Sequence, residues 1–200
     1  MIPSIGPYLL PQVLPHLHAA YPELALSLRE SQTQHLIDDL VAGKLDLLVL
    51  ALPILRDDVE TLPLFDDVFM LALPIEHPLA GRDLVHQNEL DAAELLLLEE
   101  GHCLRDQALA LCDATNAEHA SNFRASSLAT VVQMVANGYG STILPELALP
   151  VEIGHQTSIR MVPFAAPPPA RTVGLAWRVS SPRKAEFTEF GEIIVERANK

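Results

Sequence analysis

The sequence predicts an α/β fold built as two lobes. Three observations carry that expectation. The opening stretch runs strand, helix, strand: Leu24, Leu26 and Leu28 alternate, Gln34–Ala42 has helical spacing, and Asp46–Leu52 is a near-continuous apolar run. A second helix–strand unit begins at Ser127. Of the 200 residues 49% are hydrophobic, enough for a sizeable core in one domain or two small ones.

Each element follows from its residues. Between Tyr8 and Ala20, Leu9, Leu10, Val13, Leu14 and Leu17 fall at helical spacing. Pro11 fits near a first turn, whereas Pro15 implies a kink or break. Pro22 ends this segment, and the alternating leucines after it read as a strand. The helix at Gln34–Ala42 has Ser31 or Thr33 as N-cap and Gly43 just past its end. The Asp46–Leu52 run reads as a buried parallel strand, completing a βαβ unit. Val59–Leu73 is further strand, stopped by Pro74. In the second lobe Leu95–Leu98 and Phe123–Ala125 are short strands. Ser127–Ala136 is a helix capped by Ser126 or Ser127 and ended by Asn137-Gly138. Gly140–Leu144 is a strand, and Ala165–Pro169 a stiff connector. Arg171–Val179 is a strand, and Lys184–Ala198 an amphipathic helix carrying Phe187, Phe190, Ile193 and Ile194.

Composition excludes several classes of function. The formal net charge is −13, which repels phosphate backbones. The chain is not expected to bind DNA by itself, although a basic module elsewhere in a longer protein could. Two cysteines are too few for a secreted disulfide scaffold, so a cytoplasmic setting is expected. No apolar stretch has the length of a membrane span, and no signal peptide is evident. Dinucleotide-binding, phosphate-loop, zinc-protease and nucleophile-elbow motifs are all missing, so no cofactor is expected. A metal is not expected either, because His102, Cys103, Cys112 and His119 lack ligand-pair spacing. The pairs Asp38-Asp39, Asp57-Asp58 and Glu99-Glu100 read as solvated faces or caps.

The most informative segment is Glu100-Gly101-His102-Cys103-Leu104-Arg105-Asp106-Gln107, followed by Cys112. Cys103 and Cys112 are the only two cysteines, and good helix formers separate them. Nine residues of helix advance about 13.5 Å. A disulfide needs Cα atoms within roughly 7 Å. Helix and disulfide therefore cannot coexist, and oxidation must unwind the segment if both states occur. Two unrelated buried thiols, a redox switch, and a metal or catalytic role all remain open on spacing alone.

The run from Gly101 to Cys112 resembles the redox motif of peroxide-sensing LysR-type transcriptional regulators. The opening Ile2–Leu52, the unit Phe123–Leu149 and the return Ala170–Phe187 resemble other parts of the LysR-type effector domain. This resemblance implies two Rossmann-like subdomains arranged as in periplasmic binding proteins. One would comprise residues 1–71 plus 172–200 and the other 72–171. The family's winged helix-turn-helix is expected to lie outside these 200 residues.

The resemblance also implies roles. Cys103 would be the peroxidatic cysteine and Cys112 the resolving one, closing a disulfide that remodels the domain and its oligomer to activate antioxidant genes. Ser4, Thr33, His102, Arg105 and Arg171 would form the peroxide pocket, Ser4 standing where the family has Thr. Ser keeps the hydroxyl but loses the methyl that stiffens the rotamer. Implied partners are hydrogen peroxide, a homodimer or homotetramer, and promoter DNA through the missing N-terminal domain. RNA polymerase and a thiol reductant such as glutaredoxin or thioredoxin complete them. The implied protein is a regulator rather than an enzyme. Two alternatives compete: an effector domain binding a small organic metabolite between its lobes, and a turnover thiol peroxidase.

Overall fold

The computed structural model describes residues 1–91, 94–111 and 124–198. The chain forms two compact units, Met1–Asp66 with Arg171–Lys200, and Asp67–Ala170. The boundary at Asp66 and Asp67 gives Arg171 to the first unit.

The first unit begins with α1 (Gly6–Ala20), which buries Tyr8, Leu9, Val13 and Leu17. The break expected at Pro15 does not occur, because the helix runs through both Pro11 and Pro15. Pro7, Pro11 and Pro15 recur every fourth residue and are all exposed. The ring clashes and missing N–H groups thus fall on one solvent-facing stripe, where water serves the orphaned carbonyls. The opposite face packs along α6 (Lys184–Ala198), whose bounds match the predicted ones and which buries Phe187, Gly191 and Ile194.

The strand expected at Leu24–Leu28 is not present. The three leucines are 41%, 45% and 49% exposed, and the segment joins no sheet ladder. Alternation alone does not make a strand where no neighbouring element covers the leucines. In α2 (Thr33–Val41) the cap position belongs to Gln32, with no side-chain capping bond, and Thr33 is the first helical residue. Neither Ser31 nor Thr33 caps. Gly43 lies past the helix end at φ +74°, its N–H donating to Leu40 O at 3.0 Å.

β1 (Leu48–Leu52) is buried over Leu48–Ala51, as its apolar run requires. Its partner is β7 (Ala170–Arg178), and the pairing is antiparallel, with Leu48 opposite Ala176 and Leu52 opposite Thr172. The parallel βαβ pairing is thereby corrected: the strand that would complete it stays outside the sheet. β2 (Val59–Pro74) lies on the other side of β7. The Arg178 guanidinium donates to the carbonyls of Leu40 and Leu45, tying the end of α2 to β7.

Three carboxyls of this unit sit below their ordinary pKa. Asp39 is held down first by a hydrogen bond from Lys44 and also by Arg29, Asp58 by Arg56, and Glu60 by Lys184. A folded-state pKa below the unfolded one stabilises the fold above the unfolded value, and that stability disappears as pH falls through the folded value. Urea-unfolding midpoints should therefore drop below about pH 4, the ordinary carboxylate range. In Asp39→Asn the acid limb of that profile should be shallower. An acid limb of unchanged slope in the variant would show that Asp39 does not contribute.

In the second unit the later half of β2 is flanked by β5 (Thr142–Pro145) and β6 (Ile159–Pro163), antiparallel to both. Leu71 faces Ile143 on one side and Val162 on the other. β3 (Leu97–Leu98) and β4 (Arg124–Ala125) form a short parallel pair. α4 (Leu128–Ala136) is capped by Ser127, whose Oγ accepts the Thr130 N–H at 3.3 Å. Buried Asp67 accepts the Leu147 N–H at 3.0 Å, ahead of the single turn α5 (Leu149–Glu152). Residues 164–169 connect β6 to β7. Among the described residues no helix is long and apolar enough to cross a membrane.

Candidate functional site

Gly101 makes the turn that launches the cysteine segment. Its φ of +91° lies in the left-handed region, which disfavours side chains. The following His102 is buried at 7% exposure, with Nε2 3.9 Å from Glu99 Oε1. Cys103 is then the first residue of α3 (Cys103–Leu111) and is half-buried. A sulfur at a helix N-terminus faces the positive end of the helix dipole and the exposed N–H groups of the first turn. The predicted helix between the cysteines is therefore present. Cys112 and His119 lie outside the described residues.

The short β3–β4 pair anchors this segment at both ends. The Glu99 N–H donates to Ala125 O at 2.9 Å, and Arg124 Nη1 meets Glu100 Oε1 at 3.0 Å. Sequence reading missed this pairing, although Glu99-Glu100 and Arg124 are its visible signs.

Arg105 is two residues beyond Cys103, roughly 200° around the helix. It borders a small cavity with Leu96, Leu98, Leu104, Ala108 and Val131. Its Nε is buried without a hydrogen-bond partner among the described residues. Helical periodicity alone would have turned Arg105 away from the thiol.

Ser4, Thr33 and Arg171 belong to the first unit. Arg171 and Ser4 are each 3% exposed. Arg171 Nη1 donates to Ser4 Oγ and Nη2 to Ser4 O, both at 2.8 Å. Two parallel donors from one planar guanidinium fix the serine backbone and side chain together. Thr33 stands in the first turn of α2, its Oγ1 enclosed and without a partner among the described residues. The structure joins Ser4 to Arg171, and His102, Cys103 and Arg105 follow one another at the start of α3. Among the described residues no group of three or more His, Cys, Asp or Glu could hold a metal ion.

Two α/β units, one of them carrying a cysteine at the start of a helix, define the class of two-unit α/β domains. The family of LysR substrate binding domains matches residues 1–199, and the chain belongs to it. Over 197 residues it is 42% identical to the DNA-binding transcriptional dual regulator OxyR of Escherichia coli K12, and 45% identical to a probable hydrogen peroxide-inducible genes activator of Streptomyces viridosporus. These alignments cover 98% of this chain but 64% and 63% of the relatives, so the chain spans just under two thirds of their length. The reduced OxyR regulatory domain of Pseudomonas aeruginosa superimposes with a TM-score of 0.88 at 38% identity, covering 98% of this chain and 93% of that one. An H2O2-bound mutant of Corynebacterium glutamicum OxyR gives 0.93 at 35% identity, covering 99% and 63%. The periplasmic-binding-protein-like class expected from the sequence is the class found.

Proposed function

We propose that this chain is the peroxide-sensing regulatory domain of a LysR-type transcription activator. One observation supports this above the others: the whole of α3 lies between Cys103 at its first residue and Cys112, which directly follows Leu111. The Cys103 thiolate attacks one peroxide oxygen, the O–O bond breaks, and the departing oxygen takes a proton to leave as water. The resulting sulfenic acid is attacked by the Cys112 sulfur. An S–S bond forms, the S–O bond breaks, and a second water leaves. Two thiols and one peroxide give one disulfide and two waters, and α3 must unwind for the sulfurs to meet. A thiol reductant such as glutaredoxin or thioredoxin resets the pair. Without that reductant each chain consumes one peroxide and stops. The test is mass spectrometry of both thiols after one equivalent of peroxide. Quantitative intramolecular disulfide supports the reading, and continuous peroxide consumption with the thiols unchanged overturns it.

The domain acts as a homodimer, or as a dimer of dimers. Tyr21, Leu24, Leu26, Leu28 and Val41 are exposed on the first unit and supply apolar side chains for such a contact. A chain of net charge −13 repels its copies, so apolar burial must dominate. Sedimentation at tens of micromolar should show a dimer, and Leu26→Asp a monomer. A wild-type monomer would contradict this. Promoter DNA and RNA polymerase are reached through the longer protein rather than through this acidic surface.

A further inference from the structure

The helix that must unwind is incompletely seated. α3 buries only Leu104 and Ala108. Beneath it lies a cavity of about 10 Å³, partly open to solvent, with Leu96, Val131 and Ile143 on the side of the unit and Leu104, Arg105 and Ala108 on the side of the helix. Where the cavity stands between them, neither surface has the other's atoms for contact. The polar atoms of the helix add a second defect. Arg105 Nε and Gln107 Oε1 are both buried with no hydrogen-bond partner among the described residues. An enclosed donor or acceptor without a partner loses its hydration and receives nothing in return. Unwinding α3 returns both groups to water and collapses the void.

We propose that the void bordered by Ala108 and Val131, together with the unpartnered Arg105 and Gln107, lowers the cost of opening α3 and so sets the balance between the dithiol and disulfide states. The proposal rests on the redox-switch reading for its consequence, but the loosened helix is a property of the reduced protein alone. Positions 105, 107 and 131 thereby act on the cysteines through the helix, without reacting themselves. Val131 is the informative one, because it stands on α4 and is remote in sequence from both thiols.

The experiment uses the 200-residue chain in two variants. Val131→Ile adds one methylene toward the void while keeping a β-branched residue in α4. Arg105→Met keeps length and helix propensity and removes the buried donor. In the reduced state, amide hydrogen exchange across residues 104–111 should slow about fourfold in Val131→Ile, the worth of one buried methylene. It should slow about tenfold in Arg105→Met. Against a dithiothreitol couple, in which the reductant's two thiols become its cyclic disulfide as the protein disulfide becomes two thiols, each variant should favour the dithiol by the same factor. If Val131→Ile does not fold, Arg105→Met carries the test. Unchanged exchange in α3, or equal slowing throughout the second unit, overturns the proposal. So does a changed rate of sulfenic acid formation for Val131→Ile in a Cys112→Ser background, because position 131 would then act on the thiol reaction itself. A wild-type chain that forms no disulfide with peroxide would instead overturn the switch reading, leaving the exchange result to stand by itself.

Discussion

Cys103→Ser should abolish disulfide formation by hydrogen peroxide, whereas Cys112→Ser should leave a sulfenic acid at position 103 that dimedone traps. The asymmetry comes from the start of α3. Cys103 occupies the first helical position, where the N–H groups of the first turn and the helix dipole favour an anion, and it follows buried His102. Peroxide reacts with thiolate, so the first sulfur to be oxidised is the one the helix start favours. Serine at 103 supplies no comparable nucleophile. The loss should therefore be complete rather than graded. Mass spectrometry of dimedone-treated protein reads both variants, and a trapped adduct in Cys103→Ser but not in Cys112→Ser would reverse the assigned roles.

Oxidation should leave the domain no more heat-stable than before, and the oxidised form should melt lower. A bond closing about ten residues restricts the unfolded chain by only about 2.7 kcal/mol. Against it stands the loss of a nine-residue helix and the exposure of Leu104, now 3% exposed, which alone is worth about 2–3 kcal/mol. Breaking the backbone hydrogen bonds of α3 and uncovering Ala108 add to the loss. In a chain of this size each kcal/mol moves the melting temperature by about 2–4 °C. Differential scanning calorimetry of the two redox forms is the direct measurement. A clear rise on oxidation would mean that α3 survives the bond, in conflict with the helix geometry.

The sequence displayed more of the chemistry than of the sheet pairing. Two cysteines separated by helix formers announced incompatible states, because rise per residue is a local quantity. The α6 bounds were legible because Phe187 and Ile194 mark a buried stripe and Lys184 follows a turn. The partner of β1 was not legible. Leu48–Ala51 announces burial on both faces, but only the tertiary fold decides that its neighbour is a strand more than a hundred residues away. Leu24, Leu26 and Leu28 misled for the related reason that alternation describes a surface and not what covers it. Pro15 misled because a proline's effect depends on which side of the helix meets water. The bond from Arg171 to Ser4 spans 167 positions, and no spacing rule reaches that far. β6, with only five residues among polar and proline-rich neighbours, left too short a pattern to stand out.

The discontinuity of the first unit has a consequence for biosynthesis. Residues 67–170 are one uninterrupted stretch, so the unit bearing Cys103 is fully synthesised while its neighbour still lacks residues 171–200. At ribosomal speeds of about 5–20 residues per second those last thirty take about 2–6 s. During that interval β1 waits without β7, and α1, with three prolines, waits without the helix it packs on. The nascent chain therefore holds the whole of the Cys103-bearing unit before Arg171 exists to hold Ser4.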